Sequence, residues 1–310
     1  MTPGPIIPLP APAYLSDAAR AALEQPIMRN SFPALDDALG WEEHITMLES
    51  HFTGVYSKAL PVRSEAEDIA GVPNYVIVPD DADPEGPIYL DIHGGGLIIG
   101  KGDLARAMSE PNAVITGLVH WAPDYRMPPA HPYPAALDDL VTVYRHLLTE
   151  RSTADIVIGG GSGGGNLAAA LICRARDEGL PVPAGLVLVT PQLDLTESGD
   201  SFETLKDLSV ACQSLMQPNL LYADGHDLAH PYLSPLFGDL RGFPPTLLIS
   251  GTRDLFLSNT VRMHRALRDT GVSADLHVID ARPHSGFGDA PEEASVAMEI
   301  RKFVRRQVSR

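Results

Sequence analysis

A run of glycines broken by one serine joins an apolar segment to an apolar helical pattern: Ile158-Gly159-Gly160-Gly161-Ser162-Gly163-Gly164-Gly165-Asn166. Few folds have a use for such a stretch. Side chains are absent where two backbone segments must nearly touch, and the single polar side chain is held at the point of contact. The preceding residues, Asp155–Gly159, read as a strand; Leu167, Ala170, Leu171 and Ala175 give the helix that follows. A sharp strand-to-helix turn with a serine at its apex is predicted, of the G-x-S-x-G type over Gly160 to Gly164. The helix N-terminus behind the serine favours negative charge.

The surrounding chain supports a sheet that can carry this turn. From Tyr75 onward, short β-rich runs alternate with helical patterns. The runs are Tyr75–Val78, Ile88–Ile92, Ala113–His120, Asp155–Gly159, Gly185–Val189, Thr246–Ser250 and Asp275–Ile279. Leu137, Leu140, Val141, Tyr144, Leu147 and Leu148 share one helical face, and Val296, Ile300 and Phe303 form a stripe on the last helix, 292–305. Ser258 and Gly271 read as the N-cap and C-cap of another helix, and Ser16 as the N-cap of a helix over 17–24. A further helix is expected over 36–49. This alternation predicts a mostly parallel α/β sheet covered on both faces. Residues 1–50 and an insertion at about 196–232 stand outside the rhythm and are expected to form a helical cap over a domain spanning 51–310.

Composition excludes several classes. With 23 basic and 40 acidic residues the net charge is −17, which repels nucleic-acid phosphates and anionic membranes. Only Cys173 and Cys212 are present, too few for a disulfide framework or a multi-cysteine zinc site. No apolar run approaches the ~20 residues needed to span a bilayer. The proline-rich start lacks a basic n-region, so a cytoplasmic protein is expected.

Three other motifs fail in context. Gly159, Gly161 and Gly164 fit a dinucleotide fingerprint, but a long chain precedes them and no acid closes the next strand. Gly95 to Lys101 has P-loop spacing, yet Gly102 occupies the position of the magnesium-binding hydroxyl. His226 and His230 have zincin spacing, but Gly225 and Pro231 leave no helix to hold them and no third ligand is evident. No cofactor and no metal are expected. The segment His93-Gly94-Gly95-Gly96 reads better as a loop after a strand whose bare N–H groups face an oxyanion.

A hydrolase of this kind needs an acid and then a histidine after the serine. Asp254 and His284 each fall in a loop just after a strand. Asp280 is the alternative acid but lies too close to His284; Asp194 is a poorer acid by position and suits a loop acceptor. His277 reads as a strand-face residue and His264 as mid-helix.

With these motifs, the sequence from Ile88 to the end resembles the bacterial hormone-sensitive-lipase-like esterases of the α/β-hydrolase fold. The resemblance is carried by His93–Gly96, by the segment 124–138 (Asp-Tyr-Arg-Met-Pro-Pro-Ala-His-Pro-Tyr-Pro-Ala-Ala-Leu-Asp), by Thr190-Pro-Gln-Leu-Asp-Leu-Thr196, and by Ser234-Pro-Leu with Gly242-Phe-Pro-Pro245. It implies a mostly parallel eight-stranded sheet flanked by helices, with Ser162 as nucleophile, Asp254 as acid and His284 as base. It also implies the amides of Gly95, Gly96 and Gly163 as oxyanion hole, and His93 as a loop-ordering residue. Gly161, Gly163 and Ala130 replace the family's usual Asp, Ala and Glu, and Phe287 stands third after His284 where the family has Phe second. Leu97 replaces an aromatic residue, which is expected to widen the pocket for bulky or cyclic esters; Phe32, Trp41 and Met47 are cap-side candidates for its lining. The implied reaction is hydrolysis of a small or medium ester. A lactone is the alternative substrate, and a non-catalytic small-molecule receptor on the same fold is the rival class. An exposed edge strand would allow a homodimer.

Overall fold

The apolar runs pair as the alternation predicts. A computed structural model describes residues 9–25, 31–206 and 213–308. Along the chain come α1 (Asp17–Leu23), α2 (Ala38–Tyr56), β1 (Val62–Ile69), β2 (Val72–Pro79), β3 (Ile88–Ile92), α3 (Asp103–Thr116), β4 (Val119–Pro123) and α4 (Ala135–Glu150). There follow β5 (Ile156–Gly161), α5 (Gly163–Asp177), β6 (Gly185–Val189), α6 (Asp200–Thr204), α7 (Met216–Ala223), β7 (Thr246–Arg253), α8 (Leu257–Asp269), β8 (Ala274–Pro283) and α9 (Glu293–Val308). The eight strands form one sheet in the order β1-β2-β4-β3-β5-β6-β7-β8. The two β2 pairings are antiparallel, and every other pairing is parallel.

Burial explains why the central strands read clearly. β3, β5 and β6 are buried almost throughout, as strands covered on both faces must be. One face carries the larger core, where α4 and α5 pack through Leu137, Leu140, Tyr144, Leu167 and Leu171. The other carries Val296, Ile300, Phe303 and Val304 of α9 against Val157, Val187 and Leu247. Among the described residues no helix is long and apolar enough to cross a membrane.

Several boundaries differ from expectation. The run Ala113–His120 is not one strand: residues up to Thr116 end α3, Gly117 caps it in the left-handed region (φ 71°), and β4 begins at Val119. Burial of Ala113 against Ile77 and Ala122 outweighs the β-propensity of Val114, Ile115 and Thr116. Strand β1, which the apolar runs did not announce, is an edge strand of sequence VRSEAEDI with mostly exposed or half-buried residues. Ser258 is not an N-cap. It lies inside α8, and its Oγ accepts from Ser201 N (2.9 Å) while its own N–H donates to Ser201 Oγ (3.0 Å), locking α8 to α6. Ser16 does cap α1, accepting from Ala19 N.

Two segments bear on the active face. Trp41, Ile45 and Leu48 of α2 pack with Ile98 and Ile99, and Phe32, Phe52 and Leu221 join them. Leu15, Ala19 and Leu23 pack with Ala281, Phe287 and Ala290. Parts of the expected cap, residues 1–8, 26–30 and 207–212 with Cys212, lie outside the described residues.

Candidate active site

Gly160 and Gly164, on either side of Ser162, are required by contact distance. Strand β5 ends at Gly161, and Ser162 takes φ 54° and ψ −123° before α5 starts at Gly163. A Cβ at Gly164 would lie 2.0 Å from the carbonyl oxygen of Ile92 and 2.4 Å from that of His93. One at Gly160 would lie 2.5 Å from the Gly164 carbonyl carbon. The turn and the loop after β3 are therefore pressed together, backbone on backbone. Ser162 N–H donates to Val189 O (3.0 Å), and Ser162 O accepts from Gln192 N (3.1 Å), which fixes the strained residue from both sides.

This predicts opposite outcomes for two glycine substitutions. Gly164→Ala should destabilise the protein by about 3 kcal/mol or more, because backbone carbonyls cannot move aside as side chains do. Gly54→Ala on the exposed face of α2, where a Cβ meets nothing within 4 Å, should stabilise it by about 0.5–1 kcal/mol. Urea unfolding of both variants measures the contrast.

His284 lies just after β8 and reaches both partners. Its Nε2 is 3.0 Å from Ser162 Oγ, and its Nδ1 is 2.9 Å from Asp254 Oδ1. With Nδ1–H donating to the carboxylate, the Nε2 lone pair is left to accept from the serine hydroxyl. Asp254 is fully buried beyond the end of β7. Its Oδ2 accepts from Ser250 Oγ (2.7 Å) and its Oδ1 from Phe256 N–H (3.0 Å). Burial alone would raise its pKa, but the His284 imidazole and these donors outweigh burial and hold the carboxyl below its ordinary value. Phe256 also meets the His284 ring edge-on at 4.9 Å.

The loop after β3 carries the second half of the site. Gly95 (φ 118°) and Gly96 (φ 60°) adopt backbone conformations that side chains disfavour, and a Cβ at Gly95 would strike Ile99 O at 2.2 Å. The loop abuts the serine turn: a Cβ at Gly94 would be 3.5 Å from Ser162 Cβ, and one at Gly163 would be 3.0 Å from Leu97 N. Gly163 is the first residue of α5, so its N–H has no acceptor within the helix.

His93 is buried and neutral. Its ring stacks on Tyr125 at 4.2 Å, its Nδ1 donates to Gly94 O (2.8 Å), and Tyr125 Oη donates to His93 O (2.8 Å). Burial lowers its pKa to about 4. The folded protein therefore resists a proton that the unfolded chain accepts below about pH 6.5. Stability should fall as pH drops from about 6.5 to about 4, by at most ~1.4 kcal/mol per pH unit from this group. Urea titrations of wild type and His93→Phe test it: the variant should be less stable at pH 8 and show a shallower slope across that window.

The remaining predicted residues fall into place around this centre. Asp194 is fully buried and accepts from Thr196 N (2.9 Å), Thr196 Oγ1, Ser198 Oγ and Arg262 Nη1 (2.8 Å), so it organises the loop after β6. Asp280 binds Tyr14 Oη and Thr252 Oγ1, away from the imidazole. His277 lies on β8, 3.8 Å from Glu299. His226 Nδ1 bonds to Ala223 O, whereas His230 Nδ1 accepts from Tyr232 N.

Of the four pocket candidates, Leu97 is 1% exposed and packs its Cδ2 against Gly163. Trp41 is fully buried, stacked on Phe32 with centroids 5.9 Å apart, and donates Nε1–H to Ala34 O (3.0 Å). Met47 is half exposed. Sequence reasoning missed Leu215, whose Cδ1 would lie 3.5 Å from a Cβ at Gly96 and which packs beside Phe202, Leu255 and Phe256. No local pattern announces it, because the contact is made across the fold.

This arrangement of sheet, turn and histidine loop is that of an α/β hydrolase. Residues 89–287 match the family model for the alpha/beta hydrolase fold. The structure superposes on the crystal structure of an esterase named E25 with TM-score 0.89 and 36% identity, covering 99% of this chain and 98% of that one. It also superposes on an esterase from the bacterial hormone-sensitive lipase family with TM-score 0.79 and 31% identity, covering 94% and 96%. The chain belongs to the bacterial hormone-sensitive-lipase-like family of α/β hydrolases. An esterase of Acinetobacter venetianus is 36% identical over 195 residues, covering 62% of this chain and 63% of that protein. An acetyl-hydrolase of Streptomyces hygroscopicus is 33% identical over 190 residues, covering 60% and 64%. The match thus spans a little under two thirds of these curated relatives.

Proposed function

We propose that the protein is a carboxylic-ester hydrolase working through an acyl-enzyme on Ser162. The observation that carries this reading is the continuous chain Ser162 Oγ, His284, Asp254, with links of 3.0 and 2.9 Å. His284 Nε2 takes the hydroxyl proton as Oγ bonds to the ester carbonyl carbon. Asp254 keeps the imidazole in the productive tautomer and stabilises the imidazolium. The amides of Gly95, Gly96 and Gly163 receive the developing oxyanion, each donor worth about 3 kcal/mol. Collapse expels the alcohol, which takes its proton from His284. Water then enters and bonds to the acyl carbon as it gives a proton to the same nitrogen; collapse breaks the bond to Oγ, His284 returns that proton to Ser162, and the acid leaves. His93, neutral and locked under the glycine loop, holds those amides in place.

Residues 1–50 and the insertion at 196–232 act as a cap in this reading. The packing of α2 on Ile98 and Ile99 supports it, since it sets a helix directly on the loop that carries Gly95 and Gly96. Leu215, between that loop and Phe256, forms part of the pocket wall. The substrate is a small or medium acyl ester, in keeping with relatives named esterase and acetyl-hydrolase.

Hydrolysis of p-nitrophenyl butyrate, with stoichiometric loss of activity on treatment with a serine-reactive phosphonate, tests the reading. A protein that binds such esters without turning them over is a receptor, and the proposal fails. A parallel panel of lactones identifies a cyclic-ester hydrolase if those are turned over faster.

A further inference from the structure

The histidine loop carries one residue more between His284 and its phenylalanine than the family pattern, and the structure shows what holds it. On its N-terminal side the loop is fixed to the sheet. Pro283 pairs with Arg253, Ala281 N–H donates to Thr252 Oγ1 (2.7 Å), and the Arg282 carbonyl lies where a Cβ at Gly251 would come within 1.9 Å. On its C-terminal side the anchor is a carboxylate from another element. Glu293, in the first turn of α9, accepts from Phe287 N–H with Oε1 (2.8 Å) and from Arg282 Nε (2.9 Å) and Nη2 (3.1 Å). Its carboxylate therefore ties residues on both sides of His284 to one point.

The loop is shaped around that carboxylate. Gly286 turns in the left-handed region (φ 73°), and a Cβ there would lie 2.7 Å from Glu293 Oε1 and 3.0 Å from Arg282 Nη2. Phe287, 2% exposed, then drops into a socket lined by Leu15 and by Ala19 and Leu23 of α1. The neighbouring Glu292 ties down that helix, accepting from Ser16 N (2.7 Å) and Ser16 Oγ (2.8 Å). Two successive carboxylates thus divide the labour: Glu292 holds the socket and Glu293 holds the loop that fills it. Arg282 is 6% exposed, so Glu293 also neutralises a buried guanidinium.

We propose that Glu293 is a positioning residue for His284, setting the imidazole against Ser162 by clamping Arg282 and Phe287. The inference rests on the reading of His284 as general base. Without the clamp the far half of the loop is free to shift, and a displacement of about 1 Å at a reacting group can cost 10²-fold in rate.

The test uses the full-length enzyme and p-nitrophenyl butyrate, with folding followed by circular dichroism. Glu293→Ala should lower kcat by about 10²-fold and leave KM within about twofold, because the substrate pocket is untouched while the proton transfer is misaligned. A folded Glu293→Ala enzyme with wild-type kcat overturns the proposal. Arg282→Met combined with Glu293→Leu removes the buried charge together with its partner, and so carries the test where the single variant is too unstable to assay. The double variant should fold and still lose at least about tenfold in kcat, since the Phe287 N–H anchor is gone. Recovery of full kcat in it would mean that Glu293 only neutralises Arg282, and would overturn the proposal. A wild-type enzyme with no serine-dependent ester hydrolysis would instead refute the esterase reading beneath it.

Discussion

Ser162→Ala is expected to lower kcat for ester hydrolysis by on the order of 10⁶, as nucleophile removal does in other serine triads. The size of the effect follows from the geometry. His284 Nε2 has one aligned hydroxyl to deprotonate, 3.0 Å away, and the variant offers a methyl group in its place. A water molecule drawn in by the imidazole would sit farther from the carbonyl carbon than Oγ does. What should survive is the contribution of the glycine amides and of binding, roughly 10³–10⁴ over the uncatalysed rate. KM should change little, because the side chain contributes chemistry and not affinity. Losses should not add: His284→Ala alone, and the double variant, should be about as inactive as Ser162→Ala, since neither group works without the other. The measurement is single-turnover and steady-state hydrolysis of p-nitrophenyl butyrate by protein purified free of host esterases. Turnover within tenfold of wild type in Ser162→Ala would dispose of the acyl-enzyme.

Legibility in the sequence followed the reach of each interaction. The serine turn was readable because its demands are local: the glycines are needed within a few residues of Ser162, where backbone meets backbone. Asp254 and His284 were readable as candidates because each follows a β-rich run, buried in β7 and half-exposed in β8, and parallel strands deliver their following loops to one rim of the sheet. Their mutual distances were not readable, since those depend on the register of β7 against β8. Strand β1 escaped because it is an edge strand paired with β2 alone, and most of its residues are exposed, so no apolar alternation marks it. The stretch Val114, Ile115, Thr116 misled because β-branched residues were read by propensity where packing of α3 decided the outcome. Ser258 looked like a cap because capping is the commonest local use of serine before a helix, yet its partner is Ser201. Leu215, Phe256 and Glu293 share one reason for being missed: each meets the site through contacts that no spacing rule encodes.

Substitution of the acid separates two functions of Asp254 that are usually lost together. Asp254→Ala should cost about 10⁴ in kcat, because it removes both the tautomer constraint on His284 and the charge facing the imidazolium. Asp254→Asn should cost less here, on the order of 10²–10³, because the surroundings dictate how the amide sits. At Oδ1 two donors converge, His284 Nδ1–H at 2.9 Å and Phe256 N–H at 3.0 Å. The amide nitrogen cannot occupy that position without facing the Phe256 N–H, donor against donor, in a fully buried site. The nitrogen therefore goes to the Oδ2 position, 2.7 Å from Ser250 Oγ, whose hydroxyl can rotate to accept. The carbonyl then still receives Nδ1–H, the productive tautomer persists, and only the charge is lost. Nitrogen-15 chemical shifts of the His284 ring distinguish the cases, since they report which nitrogen carries the proton. If Asp254→Asn is as impaired as Asp254→Ala and its imidazole is protonated on Nε2, Phe256 N–H does not orient the amide and this account of the acid is wrong. If Asp254→Ala retains near-normal turnover, the acid itself has been misassigned.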